Sequence, residues 1–524
     1  MIRRFRRYAT LTLATLIGVT PVLADTLSGQ LVLQSKNRGQ RVSGGFTTPG
    51  ERARLRIFPM QYSQVIIEIN HQIVYQGELS PTSEGPLSLN DKSAVHAGEN
   101  TLTLTLTEGD VAVAVDYSQL EMAGEDASLK DLQKRELRQI ISRYSGTDPN
   151  TSLYPGAALL VARGGKILFA EGQGMAQYQG ATDGELYPFT APRKVHADTV
   201  FDLASVTKVV STTAAIMHLV SERRLSLTDT LGELLPGMSG TDKAQITLQQ
   251  LLTHRAGLWE WQPTWLHKKR SRSSVYAYLA ALPLRYSPGE KRAYSDIGFM
   301  LLGEIVEHTT GSRLDDYVHN TVFAPLGMNH TRYLPPPEWR SNIAATSLGN
   351  GYEQHMVTSG KPYPILDKPP FSNTFSGYRN DVLNGEVNDG NAWYGLEGVA
   401  GHAGLFSTVQ DLAIFCQTLL NGGGYGNTML ADPETLNQFL QTPFDTNQAL
   451  GFWRFENGEG RESFGHSGFT GSEIMFRPDD QLIVIMLTNR QHNGLSIDGT
   501  YPSVKPAWNA LLRALDEFWK SPQV

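Results

Sequence analysis

Ser205 and Lys208 stand three residues apart in Ser205-Val206-Thr207-Lys208, at the head of a run in which Val209, Ala214, Ala215, Met217, Leu219 and Val220 recur with helical spacing. Side chains three apart on a helix share a face, so the Lys208 amine reaches the Ser205 hydroxyl. A serine hydroxyl is a poor nucleophile near neutral pH. A neighbouring amine can hold or remove its proton, and a helix N-terminus steadies developing negative charge. Alone the pattern is weak, since about one Ser-x-x-Lys match arises by chance in a chain this long. Further on, Pro288-Gly289 leads to Tyr294-Ser295-Asp296, which sets a phenol and a carboxylate two residues apart. A tyrosine beside a lysine can serve as a phenolate base if a nearby cation lowers its pKa from about 10. A buried tyrosine with a satisfied hydroxyl is the simpler alternative, and Tyr378-Arg379-Asn380 and Tyr425-Gly426-Asn427 fit an equally loose Tyr-x-Asn search. A third group, His466-Ser467-Gly468, runs through Phe469-Thr470-Gly471 into an expected strand at 472–477. There a glycine admits a substrate backbone, while the hydroxyl and imidazole offer hydrogen bonds or charge to a carboxylate. Taken alone, such a histidine is an ordinary satisfied surface group.

These groups need a frame. From about 25 to 117 the apolar pattern has period two. Val65, Ile67 and Ile69 alternate with polar residues, Asn70-His71-Gln72 offers a turn, and Ile73 and Tyr75 return. A second hairpin is expected from Leu102, Leu104 and Leu106 through Glu108-Gly109-Asp110 to Val111, Val113 and Val115. The expectation is a small all-β, sandwich-like domain over 25–118 that packs, spaces or binds rather than catalyses, followed by a polar linker at 119–128. Beyond it, Leu129, Leu132, Leu137, Ile140 and Ile141 predict a helix, and 157–162 and 166–170 predict two strands joined at Arg163-Gly164-Gly165. At the far end, 472–477 and 481–489 predict an antiparallel pair, and Trp508, Leu511, Leu512 and Leu515 a final amphipathic helix. The reading is an α+β domain over 129–524: one antiparallel sheet assembled from both ends of the chain, flanked by the terminal helices. A helical subdomain is inserted between them, and the site lies where the two meet.

Composition narrows the partners. With 524 residues and 40% hydrophobic content the chain is too long for one ordinary core and too apolar for disorder. A net charge of −7 without a sustained basic block argues against nucleic acid. Arg3, Arg4, Arg6 and Arg7 precede an apolar stretch from about Ala9 to Val19, then Val22-Leu23-Ala24. Residues 1–24 are therefore expected to be a signal peptide, with a retained membrane anchor as the alternative, and the protein to be exported to the periplasm. Cys416 is the only cysteine, so an internal disulfide and a cysteine-based metal site are excluded. No His-Glu-x-x-His or comparable spacing occurs, and neither metal nor cofactor is expected. Thr247 and Gln250 fit a helix capping box with His254 packed at that helix's end, and His402, between glycines, reads as shaping a loop.

Taken in order, Ser-x-x-Lys, Tyr-x-Asp and His-Ser-Gly resemble the three motifs of the penicillin-recognising serine hydrolases, in their class C β-lactamase-like branch. Leu251-Leu252-Thr253-His254-Arg255-Ala256-Gly257-Leu258 is similar to a stretch typical of that branch. Asn388 to Thr408, with Gly401-His402-Ala403-Gly404-Leu405-Phe406-Ser407-Thr408, and Asn421-Gly422-Gly423-Gly424-Tyr425-Gly426 resemble the penicillin-binding protein 4B type. The resemblance spans about 128–524 and leaves out the β-domain. It implies a serine-type D-Ala-D-Ala carboxypeptidase of peptidoglycan metabolism that binds penicillin covalently. In that scheme Ser205 attacks, Lys208 and Tyr294 manage its proton, and the N–H groups of Ser205 and Phe469 form an oxyanion hole. Asp296, His466, Ser467, Gly468 and Phe469 bind substrate. His466 stands where lysine is usual and would attract a carboxylate only when protonated; Asp296 stands where asparagine is usual, which weakens the case for β-lactam turnover. The alternatives are a carboxylesterase or weak β-lactamase of the same fold, and a cell-wall binding protein with little turnover. The natural substrate, β-domain ligand and oligomeric state stay open.

Overall fold

The computed structural model describes residues 30–33, 41–48, 53–59, 62–80, 86–89, 94–96, 98–108, 111–124, 129–267, 271–366, 375–456 and 460–520. The expected signal peptide at 1–24 lies outside them.

The N-terminal region forms two four-stranded sheets. One runs Arg41–Thr48, Gly98–Glu108, Ser63–Ile69, Gln72–Leu79; the other runs Gln30–Leu33, Val111–Asp116, Ala53–Pro59, Pro86–Leu89. Period two dictates the first core: Val65, Ile67 and Ile69 stand opposite Leu106, Leu104 and Leu102, and all six are buried with Leu55 and Leu79. The hairpin at Asn70 and His71 has φ of 49° and 69°, the left-handed pair that a tight two-residue turn needs. The second hairpin does not form. Gly98–Glu108 and Val111–Asp116 are consecutive but belong to different sheets. Alternation tells which face of a strand is buried, not which strand lies beside it, so a hairpin and a crossing between sheets look alike in sequence.

The stretch read as a linker carries a short strand, Glu121–Met122, that pairs in parallel with Lys166–Thr182. Just before it, Leu120 N–H donates to the Tyr425 hydroxyl at 3.0 Å and Asn421 Nδ2 donates to Ser118 O at 2.7 Å.

The main sheet runs Glu185–Lys194, Lys166–Thr182, Gly156–Arg163, Leu482–Thr488, Glu473–Arg477, Glu462–Ser467, Trp453–Glu456, each antiparallel to the next. Both ends of the chain meet in its centre, where Leu160 stands opposite Ile485. Ala158, Leu160, Ile483, Ile485 and Leu487 face the inserted helices, among them Ala214–Ser221, Asp296–Thr310 and Val409–Leu420. Leu159, Val161, Val484 and Met486 face the terminal helices Asp131–Arg143 and Lys505–Lys520. Burial on both faces explains the unbroken apolar run at 482–487, which does not alternate. Each fully buried leucine or isoleucine there contributes about 1.5–3 kcal/mol. The α+β architecture matches the expectation, including the helical insertion.

Candidate active site

Ser205 lies at the junction of sheet and insertion, in a 3-10 turn, Ala204–Val206. The run after it is π-helical over Lys208–Thr213 before becoming α-helical at Ala214–Ser221, so it is less regular than apolar periodicity predicts. Ala204 has φ of 45°, an unfavourable left-handed backbone for a residue with a side chain, directly before the serine. Buried Asp202 holds it there. One carboxylate oxygen accepts the Ala204 N–H at 2.8 Å and the other accepts the Asn388 N–H at 2.7 Å. Burial raises the Asp202 pKa to about 6 against the pull of these two amides.

Lys208 is fully buried, and its partners account for its charge. Nζ lies 2.9 Å from Ser205 Oγ, 2.7 Å from Asp296 Oδ1 and 3.2 Å from the His402 carbonyl, and 4.8 Å from the centre of the Tyr294 ring. Burial opposes the ammonium, but Asp296 and Tyr294 outweigh it and push the pKa above the ordinary lysine value. Tyr294 faces Lys208 and Ser205; burial raises its phenol pKa by more than Lys208 lowers it, and Asp296 raises it again, so the net shift is upward, against the expectation that the cation lowers it. Ser205, Lys208, Tyr294 and Asp296, drawn from segments ninety residues apart, thus form one connected cluster.

The 251–258 stretch moulds the tyrosine segment. The capping box at Thr247 and Gln250 is present, and the helix Leu248–Leu252 ends before His254, whose φ is 57°. The His254 carbonyl accepts the Ala293 N–H at 2.9 Å and its Nδ1 accepts the Ser295 N–H at 3.0 Å, while its ring lies 4.5 Å from that of Tyr294. Burial, then Lys208, hold His254 neutral. Ser295 caps Asp296–Thr310 by accepting the Gly298 N–H at 3.2 Å, which puts Asp296 in the first turn of that helix.

The third group closes the site from the sheet. Thr470 Oγ1 donates to Asp202 O at 2.7 Å, and a Cβ on Gly468 would collide with the Leu203 carbonyl. Glycine at 468 therefore lets the Phe469 backbone run alongside the turn carrying Ser205. His466 stacks on Trp453 with ring centres 4.6 Å apart and lies 6.0 Å from the Tyr294 ring. His466 would attract a carboxylate only when protonated, and its surroundings disfavour that form. Burial, then Lys208, push its pKa down to about 3, its Nδ1–H donates to Ser467 O at 2.7 Å, and Nε2 finds no partner among the described residues.

Sequence reasoning missed the support beneath these residues. Along the Ser205 segment, Thr212 Oγ1 donates to Gly401 O at 2.6 Å, the His402 carbonyl faces Lys208, and Leu405 N–H donates to Thr207 Oγ1 at 3.1 Å. The His402 ring bonds Asp389 at 2.9 Å, so its loop-shaping role is exercised through both backbone and ring. Asp202 and Asp389 belong to none of the three motifs; Asp202 accepts from Ala204 two residues on and from distant Asn388, and Asp389 bonds the His402 ring. Among the described residues no His, Cys, Asp and Glu group is arranged to hold a metal, and no helix is long and apolar enough to cross a membrane.

The geometry agrees with what the chain resembles. Residues 138–501 match the profile of the beta-lactamase family. Proteins named putative D-alanyl-D-alanine carboxypeptidase from Salmonella schwarzengrund and Salmonella enteritidis are each 32% identical over 437 residues, covering 77% of this chain and 93% of theirs. Among solved structures, a penicillin-binding protein homologue from Caulobacter crescentus superposes with a TM-score of 0.53 at 20% identity, over 76% of this chain and 100% of that one. A class C beta lactamase from Rhodobacter sphaeroides gives 0.50 at 17%, over 75% and 99%. At these identities the structural likeness speaks to fold alone.

Proposed function

The chain belongs to the beta-lactamase family, and on that footing we propose that it is an exported acyl-serine hydrolase, a serine-type D-Ala-D-Ala carboxypeptidase that penicillin also acylates. The observation that carries the reading is the position of Lys208 Nζ, 2.9 Å from Ser205 Oγ and 4.8 Å from the centre of the Tyr294 ring. The relatives' shared name supports the substrate class, and the arginine-led apolar leader supports export to the periplasm, with inner-membrane attachment if the leader is retained.

In this mechanism Ser205 Oγ attacks the scissile carbonyl carbon while its proton passes to Tyr294 in phenolate form, a form that the adjacent Lys208 ammonium favours. The N–H groups of Ser205 and Phe469 receive the oxyanion; one such donor is worth about 3 kcal/mol. Collapse breaks the amide bond, the leaving amine takes the proton from Tyr294, and the acyl group stays on Ser205 as an ester. Tyr294 then draws a proton from water, which attacks the ester; the acyl carbon–Oγ bond breaks, the acid leaves, and Tyr294 returns the proton to Ser205 Oγ. His466, Ser467, Gly468 and Phe469, at the end of the strand Glu462–Ser467 beside the Ser205 turn, would bind the substrate. No cofactor takes part.

A carboxylesterase is the second reading. Two observations favour it: neutral His466 offers a carboxylate no charge, and Asp296 has no amide donor. Intact-mass spectrometry after incubation with a labelled penicillin, beside Ser205→Ala, tests the acyl-serine mechanism. A single adduct absent from the variant is expected; no adduct on the wild-type chain moves the assignment to the esterase or to a binding protein with little turnover. Release of D-alanine from a D-Ala-D-Ala peptide, against hydrolysis of a short-acyl ester, then separates peptidase from esterase.

A further inference from the structure

Three consecutive carbonyls brace the serine–lysine segment. Ala400 O accepts the Tyr333 hydroxyl at 3.0 Å, Gly401 O accepts Thr212 Oγ1 at 2.6 Å and His402 O accepts Lys208 Nζ at 3.2 Å. A Cβ on Gly401 would collide with the Phe299 carbonyl, so this backbone is wedged against the helix Asp296–Thr310 as well. The Lys208 ammonium has three protons, and Ser205 Oγ, Asp296 Oδ1 and the His402 carbonyl are three acceptors about it. Only the last is a backbone atom, and it keeps its place while the serine oxygen reacts.

The His402 ring continues this chain of contacts. It is buried, and its one hydrogen bond among the described residues joins Nε2 to Asp389 Oδ1 at 2.9 Å. Asp389 is pinned in turn. Its Oδ1 accepts the Ala392 N–H at 2.8 Å, Glu353 Oε1 accepts that of Gly390 at 2.8 Å, and Asp202 Oδ2 accepts that of Asn388 at 2.7 Å. Two adjacent residues thus reach both halves of the nucleophilic pair: Asn388 through Asp202 to the turn before Ser205, and Asp389 through His402 to Lys208. We propose that Asp389 is a positioning residue for acylation: through the His402 ring it fixes the His402 carbonyl against Lys208, and so keeps the ammonium beside Ser205 and Tyr294. This inference rests on Ser205 being the acylated nucleophile.

The test follows acylation of the full-length chain by a chromogenic cephalosporin over a range of pH. Asp389→Ala is expected to lower the limiting acylation rate by about tenfold or more and to leave the saturating concentration unchanged, since Asp389 acts on Lys208 and not on the substrate. With Lys208 displaced, the Tyr294 phenolate loses the cation that favours it, so the acid limb moves to higher pH. Deleting an anion alone would move the limb to lower pH, and a general loosening would leave it in place. The other titratable and charged groups about Asp389 and Tyr294, namely Glu353, Asp202, Arg379, Asp296, His254 and His466, are the same in every variant. Asp389→Asn keeps an acceptor for the His402 ring and should bring the rate back to within about threefold of the wild-type value, with the limb in its original place. His402→Leu breaks the same bond from the other side, so it should reproduce the loss and the upward shift, and it carries the test if Asp389→Ala does not fold. Adding Asp389→Ala to His402→Leu should cost nothing further. A fixed or downward limb, no recovery in Asp389→Asn, or full additivity overturns the proposal while the acyl-serine reading stands. If intact mass, beside Ser205→Ala, shows no adduct on Ser205 of the wild-type chain, that reading fails, and the proposal with it.

Discussion

Lys208 and Asp296 form an ion pair, 2.7 Å between Nζ and Oδ1, within hydrogen-bonding reach of Ser205. The pair fixes the charge of the site before any substrate arrives. Lys208 is held as an ammonium and cannot itself accept the serine proton, which leaves that task to Tyr294.

The first prediction concerns pH. Burial raises the Tyr294 pKa, Lys208 lowers it and Asp296 raises it again. Acylation needs the phenolate, so its rate should climb as pH rises toward the tyrosine pKa, with the acid limb in the alkaline range. Asp296→Asn removes one of the raising influences and should move that limb to lower pH by about one unit, equivalent to about 1.4 kcal/mol. Stopped-flow acylation by a chromogenic cephalosporin from pH 6 to 11 measures it. A limb that stays in place or moves upward would exclude Tyr294 as the base.

Gly468 is predicted to tolerate no side chain. Its Cβ would meet the Leu203 carbonyl, a backbone atom tied through Leu203 N–H to Leu405 O, so neither side yields easily. Gly468→Ala should cost about 1–3 kcal/mol by overpacking and displace the Phe469 N–H from Ser205. Acylation should slow by tenfold or more while penicillin still binds. Denaturant midpoints together with acylation rates check both parts.

What was legible follows from distance along the chain. Ser205 and Lys208 announce each other because a turn of backbone joins them, and the His466-Ser467-Gly468 group because a strand follows it. The core strand 482–487 is visible as an apolar run, and a sheet shared by both ends of the chain is expected from the strands there; its direct pairing with 157–162 is shown only by the structure. The partner sheet of Val111–Asp116 is not legible, because period two is the same in a hairpin and in a crossing. The protonation state of His466 is not legible for a similar reason: a sequence shows an imidazole but not the Trp453 ring stacked on it or the burial that favours its neutral form. Asp202 and Asp389 stayed hidden because they work on backbone amides and on a neighbouring ring, contacts that no motif or spacing marks.

His254 is predicted to be a positioning residue. Its Nδ1 accepts the buried Ser295 N–H and its carbonyl accepts that of Ala293, one on each side of Tyr294. His254→Ala leaves the Ser295 N–H without a partner, a cost of about 1–3 kcal/mol, and loosens the tyrosine. Because His254 is neutral throughout the working range, the variant should lower the acylation rate without adding or removing a limb from the pH profile. A lost limb would instead make His254 a titrating participant.

The last prediction joins Asp202 to the backbone it restrains. Ala204 holds φ of 45° because the Asp202 carboxylate takes its N–H at 2.8 Å, and the next residue is Ser205. Asp202→Ala should let Ala204 relax toward negative φ and carry Ser205 away from Lys208, slowing acylation by tenfold or more. Glycine adopts the left-handed backbone without the side-chain penalty of about 1 kcal/mol, so it needs less help to stay there. Asp202→Ala should therefore cost less in the Ala204→Gly background than in the wild-type chain, by threefold or more in acylation rate. Equal losses in the two backgrounds would mean that Asp202 acts through Asn388, its other amide partner at 2.7 Å, and not through the turn that presents the serine.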